Sequence, residues 1–483
     1  MEIVKIILLS LLAIIVLLLL IAVVRTFFVK AKYEDRKSAV SYTPEEEKIY
    51  ANILSDMIKV PTVSSRGSSD LTEFEKLHEV MAKHFPLIFS KLEKVELDGN
   101  LLFRWKGKDS KREGILLMGH QDVVPANETT WEHDPFSGEI IDGVIHGRGA
   151  MDCKCTVMAE FAAVEELLRD GYEPPCDVYL STSVNEEISG DGAPKLVNYL
   201  KSHNIRLASV MDEGGAIMGD LVPGLSVLTA AIGIVEKGYV DVKIIARGAG
   251  GHSSTPPKNS QIAKLAAFIN YFEHKRPYKA KMAAPLIAML EGVSPYLSFP
   301  LRLVTSNLWL FKPVLTLVLP ALSPMTSAVM QTTFAFTMCG GSKAPNVMPD
   351  EAYVICNLRP CVHQRADESV EILRKYAKKF NLDIEILKKR EPSNVTDVNS
   401  EEFRYVVKCV RDCYPNIAVT PFYMTGGTDC RNYEAVSDNC LRFCPIRLNP
   451  QQLAAMHAAN ENVNTDALAE SVKFYKYYIK NHK

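Results

Sequence analysis

The chain opens on a block with no apolar–polar alternation. Ile6–Val24, "IILLSLLAIIVLLLLIAVV", is 19 residues without a charge. At about 1.5 Å per helical residue it reaches nearly 30 Å, the hydrocarbon thickness of a bilayer. Secretory apolar cores run to about 7–15 residues before a small-residue cleavage site. This run is longer, and Val24-Arg25-Thr26 is a poor cleavage site. The pattern predicts an uncleaved transmembrane signal anchor over 6–24, or a secreted body if the segment is cut. Residues 31–43 are charged and polar and read as a linker.

From Pro44 onward, strand-like and helix-like segments alternate. "GILLMGH" (114–120) reads as a buried strand. "KCTVMAEFAAVEELLRDG" (154–171) reads as a helix with Val157, Phe161, Val164 and Leu168 on one face and Gly171 as its stop. "DVYLSTSV" (177–184) and "LASVMDE" (207–213) read as further strands. This alternation predicts an α/β fold with a mostly parallel sheet covered on both faces.

After Gly238 the texture changes. "YVDVKIIARG" alternates like a half-exposed strand, and "QIAKLAAFINYFEHK" reads as a helix. Pro295–Met330 is a long apolar stretch broken by prolines. Strand "EAYVICNLRP", helix "DESVEILRKYAKKF" and strand "LDIEILKK" close the block near Lys389. The organisation predicted is a larger domain in two pieces, 44–237 and 390–483, with a smaller α+β domain, 238–389, inserted between them. A length of 483 residues suits two domains behind a targeting segment.

Composition excludes little. A net charge of −2 and the lack of any nucleic-acid motif argue against a nucleic-acid partner. The 11 cysteines contain no CxxC pair and do not fix a compartment. Arg25, Lys30, Lys32, Arg36 and Lys37 after the apolar run would keep the body cytoplasmic by the positive-inside rule. The sequons at Asn127 ("NET") and Asn394 ("NVT") point to a lumenal or extracellular body, which is the expectation adopted.

Five places put metal-type ligands at element ends. They are His120 and Asp122 in "GHQDVVP", Asp152 in "GRGAMDCK", Glu186–Glu187 in "NEEISG", Asp212–Glu213 in "MDEGG", and His457 in "MHAANE". Each alone has a plain reading: a satisfied histidine, a helix N-cap, a solvated loop or a turn. Together they offer imidazole and carboxylate donors that suit Zn²⁺, with Mn²⁺ or Co²⁺ as alternatives. A shared carboxylate between two cations about 3.5–4 Å apart is the layout of two-metal hydrolases. Such a site draws the pKa of water down toward ~7 beside a carboxylate base. Adjacent acids serve this division, one as ligand and one as base.

The blocks "GHQDVVP", "WEHDPFSGEIIDGVIHGRGAMDCK", "NEEISG", "MDEGG", "GHSSTPP", "NVMPDEA" and "MHAANENV" resemble, in order and spacing, those of the M20 metallopeptidase family. The anchor and the apolar insertion are most similar to the branch holding carboxypeptidase S and the N-fatty-acyl-amino-acid synthase/hydrolases. The resemblance implies a zinc-peptidase-like catalytic domain, an inserted lid that also dimerises, and two Zn²⁺. It implies that His120 binds one zinc, Asp122 orients it, Asp152 bridges, Glu186 is general base and later acid, and Glu187 and His457 bind the other zinc. Asp212 or Glu213 completes the first site. On the lid, His252 would polarise the scissile carbonyl, often from the partner subunit, and Asn346 and Arg359 would hold substrate. Gly427, Asp429 and Arg431 in "TGGTDCRNY" would stand beside the same pocket. The chain departs from several relatives in its anchor, in the extra cysteine of "CKC" at 153–155, and in a sequon only seven residues from His120.

The activity implied is reversible cleavage of N-acyl amino acids, with Pro295–Met330 as an acyl groove or membrane-facing surface. The plain reading of that stretch is lid core and dimer interface. Two other functions compete: a carboxypeptidase for small peptides with a C-terminal hydrophobic residue, and a catalytically inactive, membrane-anchored interaction protein. A serine hydrolase is disfavoured by the lack of a G-x-S-x-G elbow.

Overall fold

A computed structural model describes residues 2–31, 37–219, 224–225 and 227–482. Part of the expected linker, 32–36, lies outside the described residues. The body begins where the pattern predicts. Thr43 caps the helix Pro44–Ile58 in a capping box with Glu46, which satisfies two orphan backbone donors reciprocally.

The large sheet has ten strands. At its centre, Gly114–His120 runs parallel to Val178–Ser183 on one side and Leu207–Asp212 on the other. Cys440–Arg442 continues the parallel set. His120 stands opposite Ser183, and Asp212 opposite Arg442. Parallel pairing therefore brings the C-terminal ends of three strands to one edge, where their following loops must converge.

The sheet is mixed rather than mostly parallel. Glu93–Leu97 and Asn100–Trp105 form an antiparallel hairpin on one side. Asp98 and Gly99 turn the chain with φ of 50° and 79°, the left-handed pair that a two-residue hairpin demands. Ile217–Met218 is antiparallel to Thr229–Glu236 on the other side. Both strands follow their partners too closely for a crossover helix, so only antiparallel pairing is open to them.

The helix Lys154–Arg169 covers the sheet, with Val157, Phe161, Val164 and Leu168 all buried. Its outer side is also buried, because Thr465–Asn481 and Pro44–Ile58 pack across it. The C-terminal helix thus completes the core.

A second sheet of four antiparallel strands is ordered Thr333–Gly340, Glu351–Arg359, Tyr239–Arg247, Asp383–Arg390. It has its own core, with Phe268 and Phe272 from the helix Gln261–Lys275 against Phe334 and Phe336. The apolar stretch after Tyr278 does not join that core. Met282, Leu286, Leu290, Leu308, Val329 and Met330 belong to the core of the large sheet instead, and Thr420 Oγ1 donates to the Met289 carbonyl (2.9 Å). The lid-core reading of Pro295–Met330 is therefore corrected. The stretch folds as three helices, Phe299–Thr305, Leu308–Leu322 and Pro324–Met330. Pro313 and Pro320 lie inside the second rather than ending it.

Candidate metal centre

The edge where the parallel strands end holds the site. His120 is the last residue of its strand and is buried. Its Nδ1 is 2.8 Å from the Asp122 carbonyl oxygen and 3.4 Å from Asp122 Oδ1. Donation from Nδ1 to that carbonyl leaves Nε2 as the free nitrogen, 3.0 Å from Asp152 Oδ1. Asp152 Oδ2 lies 2.9 Å from His457 Nε2, which is 3.2 Å from Glu187 Oε2. One carboxylate thus stands between two imidazoles and turns one oxygen to each.

Asp122 works through the loop as well as the histidine. Its carboxylate accepts the Glu186 N–H on Oδ1 and the Glu187 N–H on Oδ2, each at 3.1 Å. Oδ2 also takes the Ser64 hydroxyl at 2.6 Å. The acid that sets the His120 end therefore also fixes the paired glutamates. Asp122→Asn is expected to lower metal affinity or turnover about 10–100-fold, as loss of such supporting bonds does. A metal titration read alongside kcat checks this, and an unchanged binding curve together with an unchanged kcat would contradict it.

Sequence reasoning misses Glu461, although it lies within the quoted "MHAANENV". It is fully buried. Oε1 accepts the N–H groups of Met151 (2.8 Å) and Asp152 (3.0 Å), and Oε2 pairs with Arg148 at 2.6 Å. Arg148 also donates to the Ala458 carbonyl (3.0 Å). The Asp152 turn and the His457 loop are thereby tied together. Nothing in its local pattern distinguishes Glu461 from a solvated acid, and the same holds for Ser64.

The charges fit a cation. Burial opposes ionisation of Asp152, but hydrogen bonds from His120 and His457 hold its carboxyl below the usual range. Asp152 and Glu187 push the His457 imidazole up to about 10. A pocket that favours a proton so strongly favours a divalent ion for the same reason, because the ion takes the neutral imidazole and displaces that proton. Glu187 Oε2 contacts His457, and its Oε1 is buried with no hydrogen-bond partner, so the ligand-type carboxylate keeps an unused acceptor. The donor set of nitrogen and oxygen atoms matches zinc-type chemistry.

Asp212 and Glu213 differ in their surroundings. Both Asp212 oxygens accept backbone N–H groups, from Glu213 and Cys430, at 2.8 Å each. Burial, with Asp429 next, raises its carboxyl to about 7. Burial also raises Glu213, and after burial the neighbours acting on it are Asp152, Asp212, His120 and Glu186. Glu213 feels the charges of the cluster, whereas the Asp212 carboxylate is taken up by the backbone of its own loop and of Cys430. Gly215 allows this packing, because a Cβ there would lie 2.0 Å from the Ala231 carbonyl oxygen. Burial, opposed by His120 and reinforced by Asp429, Asp122 and Asp152, holds the Glu186 carboxyl well above its usual range.

The Cys153 Sγ lies within 4.8 Å of a His120 ring nitrogen and an Asp152 carboxylate oxygen, so it borders the cluster. The same sulfur accepts the His120 N–H at 3.1 Å, and burial keeps the thiol protonated.

Among the described residues, no hydrogen bond or ion pair joins the expected lid residues to this cluster. His252 is exposed, with Nδ1 2.7 Å from Ser254 Oγ. Its short strand pairs with Val347–Met348, and the Ser253 N–H donates to the Asn346 carbonyl at 3.1 Å. Arg359 stacks on Tyr239 at 4.6 Å and donates to Asn357 Oδ1. Arg431 is held by the Glu391 carbonyl and lies 3.6 Å from Glu236 Oε2, next to Gly427. Asp429 accepts the Ser183 hydroxyl at 2.5 Å.

The sequence pattern of Peptidase family M20/M25/M40 matches residues 116–481. This chain belongs to the M20 peptidase family. It is 34% identical over 471 residues to the N-fatty-acyl-amino acid synthase/hydrolase PM20D1.1 of Danio rerio, covering 95% of this chain and 91% of that one. It is 29% identical over 483 residues to carboxypeptidase S of Saccharomyces cerevisiae, covering 89% and 83%. In fold it is similar to the M20 family metallo-carboxypeptidase Sso-CP2 from Sulfolobus solfataricus, with a TM-score of 0.66, 20% identity, and coverage of 89% and 98%. As an M20 member the chain is a hydrolytic enzyme of the metallo-amidohydrolase class. That sets aside the inactive interaction protein.

Proposed function

We propose that this M20 enzyme hydrolyses, and in reverse forms, the amide bond of N-acyl amino acids with long acyl chains. The observation that carries the reading is Asp152 between His120 and His457, with the Glu186–Glu187 pair fixed beside it by Asp122. Asp152, Glu187 and His457 would hold one zinc. His120 and Asp152, with Glu213 favoured over Asp212, would hold another. Bound zinc supplies Lewis acidity and makes water a better acid near neutral pH.

The chain's own groups do the rest. Glu186 takes the proton from the attacking water and passes it to the departing amino nitrogen, so one water is consumed per amide bond broken. A carboxyl held high by burial suits that double role. His252 would donate to the developing oxyanion once the lid approaches. Arg359, with Asn346 and the Gly427–Arg431 loop, would receive the free carboxylate of the amino acid, which a guanidinium fork matches. A cavity of about 390 Å³ opens beside the glutamate loop, with Leu71, Phe74, Val184 and Ile188 in a wall that is otherwise mostly polar, including Ser64, Asp70, Asn185 and Lys195. The N-terminal helix Glu2–Phe28 is long and apolar enough to cross a membrane. Asn127 and Asn394 are exposed, which supports a lumenal or extracellular body.

A second reading, cleavage of peptides with a C-terminal hydrophobic residue, is favoured by the likeness to carboxypeptidase S. Kinetics with N-oleoyl-phenylalanine, shorter acyl homologues and short dipeptides separate the two. Each buried methylene contributes ~0.8 kcal/mol, so kcat/KM should rise up to about fourfold per added methylene until the apolar surface is filled. Dipeptides cleaved far faster than any acyl substrate would replace the acylase reading with the peptidase one.

A further inference from the structure

The outer helix Leu308–Leu322 is built the wrong way round for a protein in water. Leu308 is in the core, but the opposite face is apolar too. Trp309 is 49% exposed, Val314 60%, Leu317 81%, Val318 43%, Leu322 66% and, just past the helix, Met325 63%. Val314, Leu317, Val318 and Leu322 stand at i, i+3, i+4 and i+8 and form one stripe, with Trp309 to one side at the start of the helix and Met325 beyond its end. Its charge pattern is equally unusual, since no aspartate or glutamate occurs between Glu291 and Asp350. A helix apolar on all sides is stable only when something covers it.

The position of the stripe shows what covers it. The N-terminal helix Glu2–Phe28 is fastened to the start of the outer helix by buried polar contacts. Asn307 Nδ2 donates to the Ala22 carbonyl (3.1 Å) and to Thr26 Oγ1 (3.0 Å), and Arg302 Nη1 donates to the Val29 carbonyl (3.1 Å). Phe27 packs on Phe299 at 5.3 Å, and Arg25 sits 6.0 Å over Trp309. Beyond this joint the N-terminal helix projects with its apolar side chains exposed as far as Ile3. A bilayer that receives this span ends near the joint, so the stripe starts at the level of its surface.

The joint carries the residues expected at a membrane surface. Trp309 is an interfacial aromatic, and Arg25 and Lys30 stand at the end of the span. Lys312 is the outer helix's one charge and has a stem long enough to reach the headgroups.

We propose that the outer helix lies in the plane of the membrane, with Trp309 and its Val314–Leu322 stripe sunk into the acyl boundary of the leaflet next to the enzyme body. The membrane then has two contacts with the protein: a span that retains it, and a rigid in-plane element that sets the body's tilt and height. Buried in-plane helices sit about 5–10 Å deep. The proposal rests on reading the N-terminal helix as membrane-inserted, and it predicts more than retention does.

The test uses the full chain reconstituted in phosphatidylcholine vesicles with and without brominated acyl chains, which quench tryptophan at short range. The protein has three tryptophans, Trp105, Trp131 and Trp309. Co-flotation with quenching that largely disappears in Trp309→Phe supports the in-plane helix. Co-flotation without quenching, or quenching unchanged in Trp309→Phe, overturns it while leaving the anchor intact. Failure to co-float overturns both. Should Trp309 be shielded from bromine in a stable dimer, the stripe is an interface between copies and the proposal falls. A second variant, Leu317→Glu with Val318→Glu, leaves the span untouched. It should still co-float and cleave a soluble N-acetyl amino acid at the wild-type rate, yet lose about tenfold or more on N-oleoyl-phenylalanine supplied in vesicles. Equal loss on both substrates, or on neither, counts against the proposal. Wild-type protein inert toward both would sink the acylase reading and leave the quenching result standing.

Discussion

Asp152→Ala is expected to strip the metal from the enzyme and bring turnover to background. The side chain gives one oxygen to the His120 side and the other to the His457 side, at 3.0 and 2.9 Å. Alanine removes both donors at once and leaves two imidazoles facing each other without an anion between them. The remaining donors, Glu187 and Glu213, come from separate loops and cannot restore the shared position. Elemental analysis of the purified variant, with thermal melting to confirm folding, gives the answer. A folded variant that kept its full metal content would remove Asp152 from the bridging role.

Glu186→Gln separates the chemistry from the scaffold. The amide keeps the size of the side chain, and the backbone N–H groups of Glu186 and Glu187 still bond to Asp122, so metal content should remain at the wild-type level. The proton acceptor is gone, and kcat should fall by about 10²-fold or more. KM should change little, because the loss is felt in the transition state. An intact rate would assign the base elsewhere.

The two variants therefore pull metal content and rate apart, which a merely unstable site would not do. Loss of metal in both would show that Glu186 is a ligand. Loss of rate in neither would show that the amide bond is cleaved at another place on the protein.

Much of this was legible in the amino-acid sequence, for reasons that differ by element. The strand Gly114–His120 and the helix Gln261–Lys275 appear with the predicted limits, because unbroken apolar runs and helical repeats leave one period open. His120, Asp152, Glu187 and His457 could be singled out only as a set, because each alone has a plain reading and the ordered blocks that carry them resemble those of the M20 family. Partners in contact but far apart in the chain were not legible. Ser64 and Glu461 resemble any surface serine or acid until folding sets them against Asp122 and the Asp152 turn. The mixed sheet was missed because alternation of strands and helices fixes connection types only where the connections are long. The Asp98–Gly99 hairpin signal lay in view. Pro295–Met330 misled for another reason: apolar content says that a segment is covered, and not by what.

Glu461 gives the site a temporal order. It grips the Asp152 turn from the far end of the polypeptide, and the final helix is sandwiched against Lys154–Arg169. A growing chain that has emerged only as far as its parallel strands holds His120 and the acids without their counterweight. Metal uptake should therefore require the His457–Glu461 segment to have folded back onto the Asp152 turn.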